Sequence, residues 1–209
     1  MFLFVVFLVL GAHIVPVFPN DLTAKDFWKP LCRVAPGIPS PKPTCVERFV
    51  EPVSAGYYHT CALTSKGGYE CVGDRQSDTP TLQLPKDTSS TYIQVSAGYQ
   101  HTCALTSKGG YECVGDDGQG QAPRTLQTPT DKSSTYIQVS AGMYHTCALT
   151  SKGGYECVGN NKYGKAPKSL QTPTDTSSTY IQVSAGSSHT CALTSKGGYE
   201  CVGDNGEGR

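Results

Sequence analysis

A chain of 209 residues has room for one or two domains. Its 17 basic and 17 acidic side chains cancel and form no long runs, so it lacks the electrostatic footprint of a nucleic-acid or anionic-membrane binder. Ten cysteines point to an oxidising compartment. With 23 glycines, 14 prolines and no helix-period apolar pattern, the composition is that of a turn-rich, all-β protein.

Residues 1–18 carry no charge and are dominated by Phe, Leu and Val. Residues 1–10 make the hydrophobic region of a signal peptide, although the usual basic residue before it is missing. A signal peptide is expected over 1–19, cut near Gly11-Ala12 or before Asn20. The alternative is an uncleaved anchor, but Pro16 and Pro19 interrupt the run before the ~20 apolar residues a spanning helix wants. Residues 20–52 belong to no repeat. Pro30, Pro36, Pro39, Pro41 and Pro43 make their middle an extended linker. Cys32 and Cys45 flank that linker, and pairing them leaves no free thiol; a partner on another chain is the alternative. Trp28 also lies here.

From Val53 onward a repeat takes over. Fifteen residues, His-Thr-Cys-Ala-Leu-Thr-Ser-Lys-Gly-Gly-Tyr-Glu-Cys-Val-Gly, occur unchanged at 59–73, 101–115, 145–159 and 189–203. The unit reads as a β-hairpin: strand-forming residues at 59–64 and 69–72 flank a Ser65-Lys66-Gly67-Gly68 turn. Centring the turn on Lys66 sets Leu63 opposite Tyr69 and Cys61 opposite Cys71, both on one face. Opposed residues are close enough for a disulfide. The expected bridges are Cys61–Cys71, Cys103–Cys113, Cys147–Cys157 and Cys191–Cys201. The competing reading, a zinc cluster of His59, Cys61 and Cys71, lacks a recurring fourth ligand.

Val-Ser-Ala-Gly precedes each hairpin, at Val53, Val95, Val139 and Val183, with periods of 42, 44 and 44. In later copies it extends to Thr-Tyr-Ile-Gln-Val-Ser-Ala, where Ile93, Val95 and Ala97 alternate against Tyr92, Gln94 and Ser96 as a half-buried strand. An Asp/Asn/Gly turn follows each hairpin (116–120, 160–164), then a Pro-bounded run such as 123–129 and a polar loop. Four short strands in about 44 residues is the arithmetic of a propeller blade.

At this point the residues resemble a family. Val-Ser-Ala-Gly-x-x-His-Thr-Cys-Ala-Leu-Thr, a glycine turn, then Tyr-Glu-Cys-Val-Gly-Asp/Asn-x-x-x-Gly-Gln is similar to the regulator of chromosome condensation repeat, in the cysteine-bearing variant of secreted and surface proteins. Gly56, His59, Leu63, Gly68, Gly73 and their equivalents carry the match. The resemblance implies an all-β fold of RCC1-like β-propeller blades, with four repeats at 53–94, 95–138, 139–182 and 183–209. Family propellers usually have about seven blades, so an incomplete or open propeller is expected, with association through its open ends as the remedy; a truncated gene product is the alternative. Two features depart from the pattern. Val72, Val114, Val158 and Val202 stand where the family usually carries tryptophan, which implies a smaller blade core. Residues 74–81 lack the Gly-x-Gly-Gln ending of Gly118–Gln121.

No catalytic constellation is present, and an enzyme is not expected. Glu70 and its equivalents have no evident partner and read as solvated. The repeat histidines read as structural, and no serine sits in a nucleophile elbow. The turns at 116–120 and 204–208 fail the EF-hand pattern and read as Asx-Gly turns. No cofactor is implied. Positions that vary between repeats are Tyr57-Tyr58, Tyr99-Gln100, Met143-Tyr144 and Ser187-Ser188, with the loops 75–81, 117–124, 161–168 and 205–209. These are the candidate binding loops, set against neutral drift. The expected function is a secreted, disulfide-stapled binding or structural module for an extracellular protein or glycan. The alternatives are an inhibitor of an extracellular enzyme and, from the family's nuclear members, a nucleotide-exchange regulator of a small GTPase. The signal-like start and the paired cysteines argue against the last.

Overall fold

The computed structural model describes residues 7–10, 13–16, 31–32, 45–46, 53–73 and 82–204. The chain divides into two units, Met1–Val50 and Glu51–Arg209. In the first, β1 (Phe7–Leu10) pairs antiparallel with β2 (His13–Pro16), and β3 (Leu31–Cys32) with β4 (Cys45–Val46). The second ladder sets Cys32 opposite Cys45. Their pairing, the proline linker and cleavage of residues 1–19 lie outside the described residues.

The second unit is a row of four antiparallel, three-stranded blades. The first holds β5 (Val53–Ala55), β6 (His59–Leu63) and β7 (Tyr69–Gly73); the second, β8 (Tyr92–Ala97), β9 (His101–Thr106) and β10 (Tyr111–Gly115). The third holds β11 (Tyr136–Ala141), β12 (His145–Thr150) and β13 (Tyr155–Gly159); the fourth, β14 (Tyr180–Ala185), β15 (His189–Thr194) and β16 (Tyr199–Gly203). The expected following strand shrinks to one bridge in each of the first three blades, Tyr69 with Gln83, Tyr111 with Gln127 and Tyr155 with Gln171. These are propeller blades, and their sheets do not close on one another.

The hairpin register is the one its turn dictates. Gly67 takes φ of 76°, which only glycine adopts without cost, and Thr64 N–H reaches Gly68 O at 2.8 Å. Leu63 then faces Tyr69, and Cys61 faces Cys71. The same register recurs in all four blades, and each cysteine pair is bridged across a Cα separation of 4.1 Å. Closing so short a loop contributes about 3 kcal/mol in the chain-entropy model.

The first strand of each later blade departs from plain alternation. Tyr92 pairs with Thr106 and Gln94 with Leu105, so Ile93 is an extra residue and the ladder bulges there. The bulge shifts the phase: Tyr92, Val95 and Ala97 are buried together, while Ile93 joins the opposite face with Gln94 and Ser96.

That phase matters because the core lies between blades. Cys61, Leu63, Tyr69 and Cys71 of the first blade pack against Tyr92, Val95, Ala97, Ala104 and Val114 of the second. Cys103, Leu105, Tyr111 and Cys113 meet Tyr136, Val139 and Ala148 in the same way, and Cys147, Leu149, Tyr155 and Cys157 meet Tyr180, Val183 and Ala192. The first three disulfides are therefore covered by the next blade. The valine that stands in place of tryptophan belongs to this joint: Val114 packs on the preceding blade, whereas Val72, at the leading end, is 73% exposed.

A polar set repeats across each joint. His59 Nε2 lies 2.7 Å from Thr102 Oγ1, His101 Nε2 2.8 Å from Thr146 Oγ1, and His145 Nε2 2.8 Å from Thr190 Oγ1. Thr146 donates its own proton to Gln121 O, and Thr190 donates to Lys165 O. His101 and His145 must therefore donate from Nε2, which leaves Nδ1 bare. Nδ1 is buried without a partner in both rings. Ser54, Ser96 and Ser140 hydroxyls accept from the N–H of Ala97, Ala141 and Ala185, and the Gln94 and Gln138 carbonyls accept from Val139 and Val183 N–H. The inner strand of a blade thus has its outward N–H groups satisfied by its predecessor.

Glu70 is exposed, as expected of a solvated carboxylate, but the other three hairpin glutamates are engaged. Glu112 accepts Tyr92 Oη–H at 2.6 Å and Lys86 N–H at 3.2 Å; Glu156 and Glu200 hold Tyr136 and Tyr180 likewise. They pin the loop that leads into each blade. Burial and the glutamate together hold these tyrosine hydroxyls well above their usual range.

Two outcomes follow from the joint. Thr146→Val strands a buried His101 N–H and the Gln121 carbonyl, and should cost about 2–3 kcal/mol in urea unfolding, whereas Thr146→Ser should cost less than about 1 kcal/mol. The histidines also make stability pH-dependent. Desolvation, with lesser help from neighbouring cations, lowers His101 to about 4 and His145 to about 3, against 6.5 when unfolded. Below pH 6.5 the unfolded chain binds more protons than the folded one. Stability present above that pH should therefore drain as pH falls from 7 to 5, above the carboxylate range. A urea midpoint that stays flat over this window would contradict the neutral-histidine joint.

Candidate functional site

The four variable dipeptides lie in one row. Each sits between the first and second strands of its blade, in a loop closed by Gly N–H to His O, as from Gly56 to His59 at 2.8 Å. The row is a continuous backbone belt: Tyr57 N–H reaches Gly98 O at 3.1 Å, Tyr99 N–H reaches Gly142 O at 3.2 Å, and Met143 N–H reaches Gly186 O at 3.1 Å. A Cβ on Gly56 would come within 2.5 Å of Gly98 O, so the belt requires glycine there.

The second variable set meets the first at the same end of the blades. Asp116 N–H donates to Gln100 O and Asn160 N–H to Tyr144 O, both at 2.8 Å; Asp204 N–H donates to Ser188 O at 2.9 Å. The acidic turn is an Asx turn with its oxygens engaged. Asp116 Oδ1 accepts Gly118 N–H, Asp116 Oδ2 accepts the Gln121 amide, and Asp117 Oδ1 accepts Ala122 N–H. The sulfurs of the zinc reading are joined to each other, and the His59 ring is turned to Thr102.

Within the row, tyrosines converge. The rings of Tyr57 and Tyr58 lie 4.6 Å apart, and Tyr99 lies 4.9 and 5.0 Å from them. Tyr144 continues the run 5.7 Å beyond Tyr99, and the Tyr58 and Tyr99 hydroxyls meet at 3.1 Å. Tyr57 is 73% exposed. Further along, the Ser187 hydroxyl reaches Met143 Sδ at 3.2 Å. Gln100 and Ser188 are half-buried, and their side chains make no hydrogen bond to the row. Aromatic rings on a hydrogen-bonded backbone present amphipathic contact area at low entropic cost.

Three residues inside the variable loops extend the site, although no single one was a sequence candidate. Tyr163 projects from a short 3-10 turn (Lys162–Gly164) at φ of 65°, unusual for an aromatic residue, with Lys162 Nζ 4.9 Å over its ring. Lys165 is only 4% exposed; its ammonium lies 5.5 Å over the Tyr144 ring and donates to Ser187 O at 3.1 Å. Burial first, and the Lys162 cation second, lower its pKa. The usable signal was positional. Tyr163 and Lys165 stand where the second blade has Gln119 and Gln121, so blade-to-blade alignment marks both as changes of chemistry.

Comparison with known proteins places this geometry. The family model of the Regulator of chromosome condensation (RCC1) repeat matches residues 92–121 and 180–209. No curated protein sequence matches the chain. Among solved structures, the CRINKLY WD40 ectodomain of the Arabidopsis thaliana receptor kinase ACR4 is similar at 23% identity and a TM-score of 0.57, over 74% of this chain and 56% of that one. Human WBSCR16 is similar at 19% identity and 0.61, over 77% and 50%. Prp20p of Saccharomyces cerevisiae, whose structure is described together with its binding to Gsp1p and histones, gives 17% and 0.56, over 73% and 44%. At these identities the likeness is one of fold. The chain spans about half the length of the structures it matches.

The repeats supply their own control for Lys165. Gln121 is paired with Asp116; at the equivalent positions of the third blade stand Lys165 and Asn160, and the Asn160 amide donates instead to Gln119. Restoring the second blade's pair with Lys165→Gln and Asn160→Asp should raise stability by about 1 kcal/mol in urea unfolding, since a buried cation is exchanged for a hydrogen-bonded amide. A loss of stability would show that the ammonium has a structural role at this joint.

Proposed function

Starting from a chain that carries RCC1 repeats stacked as propeller blades, we propose that it is a secreted, disulfide-stapled binding module and not an enzyme. Its partner, an extracellular protein, docks on the tyrosine-lined end. The observation that carries this reading is the convergence of Tyr57, Tyr58, Tyr99 and Tyr144 on one belt, at positions the repeats otherwise leave free to vary. Tyrosine is the residue that interface hot spots favour. The four hairpin disulfides and the charge-free apolar start support export. One structural neighbour is a receptor ectodomain, and another binds proteins. These likenesses support a scaffold that presents loops, and the loops of this chain decide the partner.

A two-part experiment tests the reading. A C-terminally tagged chain should accumulate in the medium and lack residues 1–19; retention in the lysate would overturn the secretory half. The exported protein should then capture a protein from extracellular fluid. Tyr57→Ser/Tyr99→Ser should weaken that capture at least tenfold with all disulfides intact. Capture unchanged by this variant would move the interface away from the tyrosine row.

A further inference from the structure

The four blades are copies, so equivalent positions can be compared for burial. Tyr69, Tyr111 and Tyr155 are 1–2% exposed under the following blade, but Tyr199 is 75% exposed. Ile181 is also bare, whereas Ile93 and Ile137 pack into the joints that follow them. The polar half of the joint is equally idle. His189 Nε2, Gln182 and Ser184 have the positions of His145, Gln138 and Ser140, yet their side chains find no hydrogen-bond partner among the described residues.

The leading edge of the first blade holds the matching half. Val53 and Val72 are exposed where Val95 and Val114 are packed away. Thr60 has the position of Thr102, the acceptor for a histidine, and its hydroxyl makes no hydrogen bond among the described residues. Ala55 N–H and Gly56 O correspond to Ala97 N–H and Gly98 O, which Ser54 and Tyr57 engage at the first joint. One element differs: Val50 stands in sequence where later blades have the tyrosine that packs on Tyr69.

We propose that the trailing face of the fourth blade binds the leading edge of the first blade of a second copy, repeating the joint the chain already makes three times. Tyr199, Leu193 and the Cys191–Cys201 bridge receive Val53, Ala62 and Val72. His189 donates to Thr60 of the second copy, while Ser184 and Gln182 accept from its Ala55 and Val53 N–H groups. The contact is head-to-tail, between two different surfaces, and each added copy offers a fresh end unless the ring closes. This surface is separate from the tyrosine row, so the inference stands independently of the proposed ligand.

The test uses the full chain in sedimentation velocity, with Tyr199→Glu to block the trailing face and Val72→Lys to block the leading edge. Both positions are exposed, and an unchanged disulfide count and circular dichroism would confirm that both variants fold. Wild type should shift from the one-chain sedimentation coefficient to larger species as concentration rises. Each variant alone should stay at the one-chain value. An equimolar mixture should reach the two-chain value and stop, because one good joint remains. A wild type that sediments as one chain at all concentrations would overturn the proposal. So would association abolished by Tyr199→Glu but untouched by Val72→Lys, which would mean a tail-to-tail contact.

Discussion

The structure depends on one contact, made three times: the burial of a hairpin disulfide beneath the next blade's inner strand. A three-stranded blade of about 44 residues cannot enclose a core, and its edge strand leaves N–H groups unsatisfied. Both deficits are met at the joint. Tyr92, Val95 and Ala97 cover Cys61 and Tyr69, while Ser54 and His59 supply the polar partners. The bridge holds the trailing face rigid, so the face offered to the next blade is already formed. Cohesion along the row is then a sum of nearest-neighbour joints.

This explains why the fifteen-residue unit does not vary. His59 serves the next blade through Thr102, and Thr102 belongs to the next copy of the same unit. A change to the unit would alter both sides of a joint at once. The loops outside it answer to no such constraint, and the two variable sets meet at one end of the blades. The scaffold is therefore repetitive while the recognition surface is not: tyrosines gather on the first two blades and reach the third, where lysines and Tyr163 join them, and the fourth offers serines.

Much of this was legible in the residues. The hairpin register followed from the glycine turn and period-two alternation, because both act within fifteen residues. The blade arithmetic followed from the repeat length. What stayed hidden was set by partners far along the chain. Glu112 looked solvated because Tyr92, its partner, lies on the other side of a hairpin, 20 residues away. The histidine's acceptor lies 43 to 45 residues on, in the next blade. The bulge at Ile93 reversed the faces of part of the inner strand, and no glycine or proline in that strand signalled it. In the site, variation between repeats picked out the dipeptides, but only the belt of backbone hydrogen bonds shows that Tyr57, Tyr58 and Tyr99 touch.

The central claim, that the joints shield the disulfides, is tested most directly by the order in which they open. The chain would be diluted until it sediments as a single copy, treated with mild reductant under native conditions, quenched with an alkylating agent and mapped by mass. Cys61, Cys103 and Cys147 are fully buried under a following blade, whereas Cys191 is partly exposed. The joint account predicts that Cys191–Cys201 is alkylated first, with Cys61–Cys71, Cys103–Cys113 and Cys147–Cys157 following together and later. Equal rates for all four bridges, or bridges linking one repeat to another, would contradict it.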